Sequence, residues 1–164
     1  VVDEQDRYYS VKPAADWTFG FNTTLSYKNW TLAASGHGCV GNWVYNNVAS
    51  DGEMIADCWT NNFNSNRLNS AAFSLFQKAQ YLSDYYVRDA SFFKIDNITL
   101  GYTFPQLFKS AKLDRAMGLN IYATVQNVAT ITNYDGLDPE VFSGIDNNLY
   151  PRPRTYVLGV KLNF

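Results

Sequence analysis

Apolar and polar residues alternate in five stretches of this chain, separated by segments rich in Asn, Gly and Asp. In 16–28, Trp17, Phe19, Phe21, Thr23, Leu25 and Tyr27 share one side, and Thr18, Gly20, Asn22, Thr24, Ser26 and Lys28 share the other. A period of two predicts a strand with one apolar face. Segment 30–40 repeats it with smaller residues: Trp30, Leu32, Ala34, Gly36, Gly38 and Val40 oppose Thr31, Ser35 and His37. In 91–104, Ile98, Leu100, Tyr102 and Phe104 oppose Asn97, Thr99, Gly101 and Thr103, yet Phe93 and Ile95 fall on the other parity. Such a reversal predicts a bulge or, in a membrane, a strand leaving the bilayer. Pro105 is expected to end this strand, because proline cannot donate to a ladder. Segment 118–131 sets Leu119, Ile121, Ala123 and Val125 against Asn120, Tyr122, Thr124 and Gln126. Segment 155–164 sets Tyr156, Leu158, Val160, Leu162 and Phe164 against Thr155, Val157, Gly159, Lys161 and Asn163.

These strands exceed the usual ~5–6 residues and match the ~9–11 tilted residues that cross a hydrocarbon core. Their connections alternate in length. Only Asn29 or Lys28–Asn29 separates the first two, which predicts a tight hairpin. The long link 41–90 follows, then the short 106–117, then the long 132–154. Short turns alternating with long loops characterise outer-membrane barrels, with the turns periplasmic and the loops extracellular. If the C-terminus is periplasmic, the turn at 28–29 falls on that side and 1–15, 41–90 and 132–154 become extracellular loops. Within the longest, Ala72, Leu75, Phe76, Ala79 and Leu82 predict a short helix over 70–82.

Composition narrows the reading. The 164 residues include 12 Tyr, 11 Phe and 4 Trp, an aromatic content suited to a membrane interface or to a sugar-binding surface. Thirteen basic and fifteen acidic residues leave no basic stripe for nucleic acid. Mean hydropathy is −0.26, as strands with one lumen-facing side allow. No apolar run is long enough for a transmembrane helix, and residues 1–15 do not resemble a signal peptide. The start at Val1 suggests a processed or excised segment. Five strands cannot close a membrane barrel, where open edges are not tolerated. The expected fold is therefore all-β: an antiparallel meander forming the C-terminal part of a larger transmembrane β-barrel. The alternative is a soluble, aromatic-rich, carbohydrate-binding β-sandwich.

Candidate chemistry is sparse. One His and two Cys build neither a zinc site nor a nucleophile–base pair, so no enzyme, metal site or cofactor is expected. Cys39 and Cys58 are compatible with either a disulfide or two thiols. Asp135, Asp138 and Glu140 crowd the loop NYDGLDPEV, on Gly/Pro turn chemistry, which reads as loop structure rather than a catalytic pair or a cation loop. Trp59, Tyr134, Asp135 and Asp138 are the candidate ligand or lid contacts in the long loops. Trp43, Tyr45, Tyr81, Tyr85 and Tyr86 are further aromatics there, read first as loop packing. Arg152 and Arg154 are read as positioning the start of the last strand through bonds to carbonyls or acids.

The stretches WTFGFNTTLSYKNWTL (17–32), VRDASFFKIDNITLGYTFP (87–105), NIYATVQNVATITNYDGLDPEV (120–141) and NNLYPRPRTYVLGVKLNF (147–164) resemble the C-terminal end of the SusC/RagA family of TonB-linked outer-membrane proteins. Ala129–Thr130 and the 41–90 loop depart from the family pattern. The resemblance implies a 22-stranded, plugged barrel that imports oligosaccharides or peptides. The implied partners are the remaining barrel and N-terminal plug, a SusD-like surface lipoprotein, TonB, the lipid bilayer and the barrel-assembly machinery. That machinery would read Tyr156, Leu158, Val160, Leu162 and Phe164.

Overall fold

The computed structural model describes residues 8, 10–52, 82–109, 116–147 and 150–163. Cys58, Trp59, Tyr81, Phe164 and all of the expected helix over 70–82 except Leu82 lie outside these residues. The chain divides into two compact units.

The first unit comprises Thr18–Cys39, Phe92–Ile131 and Arg152–Phe164. Its sheet is built from strands β1 (Trp17–Tyr27), β2 (Trp30–Val40), β5 (Phe92–Lys109), β6 (Ala116–Thr132) and β8 (Thr155–Asn163). They lie side by side in chain order, β1-β2-β5-β6-β8, with β1 and β8 as the edges. The sheet is open among the described residues. Lys28 begins the β1–β2 turn at φ 53°, the positive φ that the first central position of both mirror-image hairpin turns requires.

Two features of β5 bear on the sequence reading. Ser35 pairs with Asn97 but Gly36 pairs with Ile95, so the ladder skips Asp96. That bulge is the cause of the parity reversal. One extra residue shifts the period, and Phe93 and Ile95 rejoin the face of Ile98, Leu100 and Tyr102. Pro105, in contrast, does not end the strand, which continues to Lys109. Thr103 N–H donates to Asn29 O at 2.9 Å. Two residues on, the backbone of Pro105 faces the same side, past the point where the β1–β2 hairpin has turned back. No ladder bond is forfeited there, so proline is tolerated.

The second unit comprises Val1–Trp17, Val40–Ser91 and Thr132–Pro151. The segments read as long loops are not plain loops. They carry β3 (Trp43–Asn46), the short helix α1 (Asn47–Gly52), a 3₁₀ turn at Asp84–Tyr86, β4 (Val87–Asp89) and β7 (Ile145–Asp146). These short strands form a second sheet ordered β4-β3-β7. The β3–β7 pair is parallel, a correction to the purely antiparallel expectation. The two strands come from different long connections, and a parallel pair needs only that a long crossover separate them. Val44, Ala90, Tyr134 and Val141 make the core. Asn42 ties it to β4's exit: Ala90 N–H donates to Asn42 O, and Asn42 Nδ2 donates to Ala90 O, both at 2.9 Å. Asn46 Oδ1 accepts from Ala49 N–H and caps α1.

Candidate functional site

The sheet of the first unit is chemically two-sided. Along its apolar face, the register aligns Trp30 with Tyr102, Leu32 with Leu100 and Ala34 with Ile98. Across β6 and β8 it aligns Val125 with Tyr156, Ala123 with Leu158, Ile121 with Val160 and Leu119 with Leu162. These side chains are open to the surroundings: Trp17 is 75% exposed, Tyr156 72% and Leu158 77%. A sealed sandwich would not leave them so.

Aromatic residues collect at both ends of this face. At the hairpin end the rings of Trp30 and Tyr102 meet edge-on at 4.7 Å, and those of Tyr102 and Phe104 at 4.6 Å. At the other end Phe19 and Phe21 stack on Phe93 at 6.1 and 5.7 Å. They reach it by crossing β2 where that strand has no side chains. A Cβ on Gly38 would stand 2.6 Å from Phe19 Cζ, and one on Gly36 would overlap Phe21. The small residues that weakened the alternation of β2 are thus the floor beneath two phenyl rings. The strand from Trp17 to Tyr27 covers roughly 33 Å at ~3.3 Å per residue, or ~25 Å at a barrel-like tilt of ~40°. That is the height of an outer-membrane apolar band.

The opposite face is polar and internally hydrogen-bonded. Asn97 Nδ2 donates to Ser35 Oγ at 2.7 Å, Thr99 and Thr124 share a hydroxyl bond at 2.8 Å, and Asn120 Nδ2 donates to Thr103 Oγ1 at 2.8 Å. His37 Nδ1 lies 2.8 Å from Asp96 Oδ2. Lys94, opposite His37 in the ladder, is buried with its ammonium 5.1 Å from the Phe92 ring. The spacing of His37 and Asp96 in the sequence does not show this contact, because the bulge that brings them together is a property of strand pairing.

The terminal strand is bracketed where its ladder with β6 ends, at Gln126–Thr155. Asn127 adopts φ 54°, and its Nδ2 donates to Arg152 O at 2.7 Å. Arg154 Nη2 donates to Val128 O at 2.8 Å and Nε to Asn127 O at 3.4 Å. Arg154 therefore binds main-chain carbonyls.

In the second unit, Tyr134 and Asp138 are buried while Asp135 is exposed. Tyr134 Oη donates to Asp146 Oδ2 at 2.7 Å. Burial, then the Asp146 carboxylate, push the Tyr134 phenol far above its ordinary range, and Arg88 offsets this in part. Asp138 Oδ1 accepts from Glu140 N–H at 2.9 Å, closing the turn around Pro139. Asp135 takes Arg88 Nε at 3.4 Å, and Arg88 also donates to the Tyr85 and Val87 carbonyls. Arg88 and Asp146, which no motif singled out, therefore organise the loop in which three of the candidate residues sit. Tyr8 donates to Asp84 Oδ2 at 2.8 Å, which raises its phenol pKa. Among the described residues no group of His, Cys, Asp or Glu forms a metal cluster.

No family model matches the chain. It is 41% identical to the TonB-dependent receptor SusC of Bacteroides thetaiotaomicron over 166 residues, 99% of this chain and 16% of SusC. A TonB-dependent receptor of Formosa agariphila is 26% identical over 184 residues, 99% of this chain and 18% of that receptor. Among solved structures, the RagAB peptide importer in its closed-closed state matches with a TM-score of 0.74 at 23% identity, over 100% of this chain and 20% of that one. The open-open state matches with a TM-score of 0.72 at 24% identity, over 94% of this chain and 18% of that one. The last two likenesses are of fold alone. The chain thus spans less than a fifth of the length of these curated relatives.

Proposed function

Because the chain belongs to the SusC family of TonB-dependent receptors, we propose that it supplies five neighbouring strands, at the C-terminal end, of an outer-membrane importer's β-barrel. The family resides in the bacterial outer membrane and consists of transporters rather than enzymes. The observation that carries the proposal is the two-sided sheet. Its exposed apolar face is the height of a bilayer core and bears aromatics at both ends, and its other face carries hydrogen-bonded polar side chains, in keeping with the polar interior of such barrels. In this reading β1 and β8 pair with strands elsewhere in the receptor, and the polar side of β2, β5 and β6 faces the plug.

The substrate is an oligosaccharide or a peptide, taken up with a SusD-like lipoprotein as lid and with energy delivered through TonB. The second unit lies outside the cell, where exposed Asp135 offers a contact to ligand or lid, while Tyr134 and Asp138 shape the loop from within; Trp59 is a further candidate contact from the sequence. Tyr156, Leu158, Val160, Leu162 and Phe164 carry the signal for the barrel-assembly machinery.

Single cysteines in the full-length receptor test the topology. Leu137→Cys is expected to react with an impermeant maleimide on intact cells, and Asn29→Cys only after the outer membrane is permeabilised. Equal labelling of both on intact cells would overturn the assignment.

A further inference from the structure

We propose that the cleft around Trp43, wholly within the second unit, is a binding subsite for a neutral hexose ring of an oligosaccharide. The inference rests on the importer reading above and gives that reading one ligand class and a place for it. Alternation along β3 sets the floor of the cleft. Val44 and Asn46 point into the core at 1% and 7% exposure, so Trp43 and Tyr45 stand on the opposite face. Tyr45 is fixed there: its hydroxyl donates to Ser50 Oγ at 2.8 Å and accepts from Leu82 N–H at 3.0 Å. Residues 10–16 run over this face as a strap. Asp16 N–H donates to Val40 O at 2.9 Å, and Pro13 presses on Gly144, where a Cβ would stand 2.6 Å from Pro13 Cβ. Space remains beneath the strap. One chamber of about 230 Å³ takes in Tyr45 and its cross-strand neighbours Val87 and Ile145. A second, of about 550 Å³, takes in Lys12, Asp16 and Gly41. Ser10 and Trp43 border both. Together the chambers fall in the ~300–1,000 Å³ range of small-molecule sites.

Charge and backbone select the occupant. The first chamber is lined by no charged residue, and in the second Lys12 and Asp16 form an ion pair with one another. The cleft therefore sets up no net field in favour of an anion or a cation. β3 is paired on both sides, with β4 and with β7. Its floor lacks the free ladder that an added peptide strand would use. What the cleft offers is an aromatic surface bordered by hydrogen-bonding groups. Trp43, read from the sequence first as loop packing, keeps 36% of its surface open. Among the described residues none accepts from its indole N–H, and none bonds the Ser10 hydroxyl. Asp16 engages Lys12 through Oδ1, and its Oδ2 lies over Gly41, where a Cβ would overlap it. A pyranose ring has the matching form: a C–H face that stacks on indole, and hydroxyls that both donate and accept around its edge.

The test is calorimetric titration of the full-length receptor in detergent with maltohexaose, cellohexaose and mannohexaose, with hexagalacturonate as the charged sugar and an uncharged decapeptide as the competing class. At least one neutral hexaose is expected to bind, and more tightly than hexagalacturonate or the decapeptide. Trp43→Ala is expected to weaken hexaose binding about tenfold, and Trp43→Phe to recover part of the loss by keeping an aromatic face. Asp16→Asn leaves Lys12 unbalanced and is expected to improve hexagalacturonate binding several-fold, which serves as the test if Trp43→Ala does not fold. Binding of none of the hexaoses, tighter binding of the decapeptide, an unchanged affinity in Trp43→Ala, or no gain for hexagalacturonate in Asp16→Asn would each overturn the site. Heat-modifiable electrophoretic migration separates the two levels of failure. A receptor that never shows the compact folded band counts against the barrel and this site together, whereas a folded receptor with any of those binding results counts against this site only.

Discussion

His37 Nδ1 sits 2.8 Å from the carboxylate of Asp96, the one residue that the β2–β5 ladder skips. The pair joins a bulge to the strand beside it and holds the extra residue on the polar face. The register of everything from Phe92 to Ile95 depends on that single insertion, because a slip of one residue exchanges the faces of a strand.

Deleting Asp96 is therefore expected to be far more damaging than truncating it. The deletion turns Phe93 and Ile95 toward the polar side or forces the ladder to slip. Asp96→Ala keeps the count and loses only the His37 contact, worth about 1 kcal/mol or less for a part-exposed pair. The amount of heat-modifiable, folded receptor in outer-membrane fractions measures both. Comparable losses would show that register is set elsewhere.

Gly36 and Gly38 are expected to resist enlargement. Gly38→Val drives a branched side chain into the Phe19 ring, and overpacking of this kind costs about 1–3 kcal/mol. Phe19→Ala in the same background should recover part of that loss, since the double variant removes the clash with the ring and leaves the one with Phe92 O. Urea unfolding in lipid vesicles reads the difference, and a full additive loss would contradict the packing described for these rings.

The two faces of the sheet predict opposite tolerance to charge. Leu158→Arg lies on the apolar side and is expected to destabilise the barrel by ~2–4 kcal/mol if the site is near the bilayer midplane. Thr124→Arg, on the polar side, should be much milder in the same assay. Equal effects would mean that the apolar side does not face lipid.

Tyr134 makes a pH prediction for the loop unit. Its phenol has a folded-state pKa raised above the ordinary value of 10.0. The protonated form is favoured by folding, so its contribution is fully present below pH 10 and is lost as pH climbs toward the folded value. Tyr134→Phe removes the donor to buried Asp146 and is expected to cost about 1–3 kcal/mol at neutral pH, the penalty of a buried acceptor left unmet. It should also reduce the loss of local protection, followed by hydrogen exchange, between pH 10 and 11. An unchanged alkaline profile in the variant would remove Tyr134 as its source.

Period-two alternation alone located the five long strands, because lipid-like surroundings on one side and polar surroundings on the other select opposite residue types at successive positions. The matching stretches around YDGLDPEV and YPRPRTY carried the family. The parity reversal at Phe93 and Ile95 announced a disturbance without saying which kind. What only the tertiary structure decided are relations across strands and between connections distant in sequence: the skip at Asp96, the phenyl rings lying over Gly36 and Gly38, the tolerance of Pro105, and the parallel β3–β7 pair. The burial of Tyr134 and Asp138 belongs with these, since a loop of turn-forming residues looks solvated until β3 and β4 pack against it. Alternation is written along the chain, one residue after the next. Register and burial are set by which other segment lies alongside, and that partner is chosen by the folded whole.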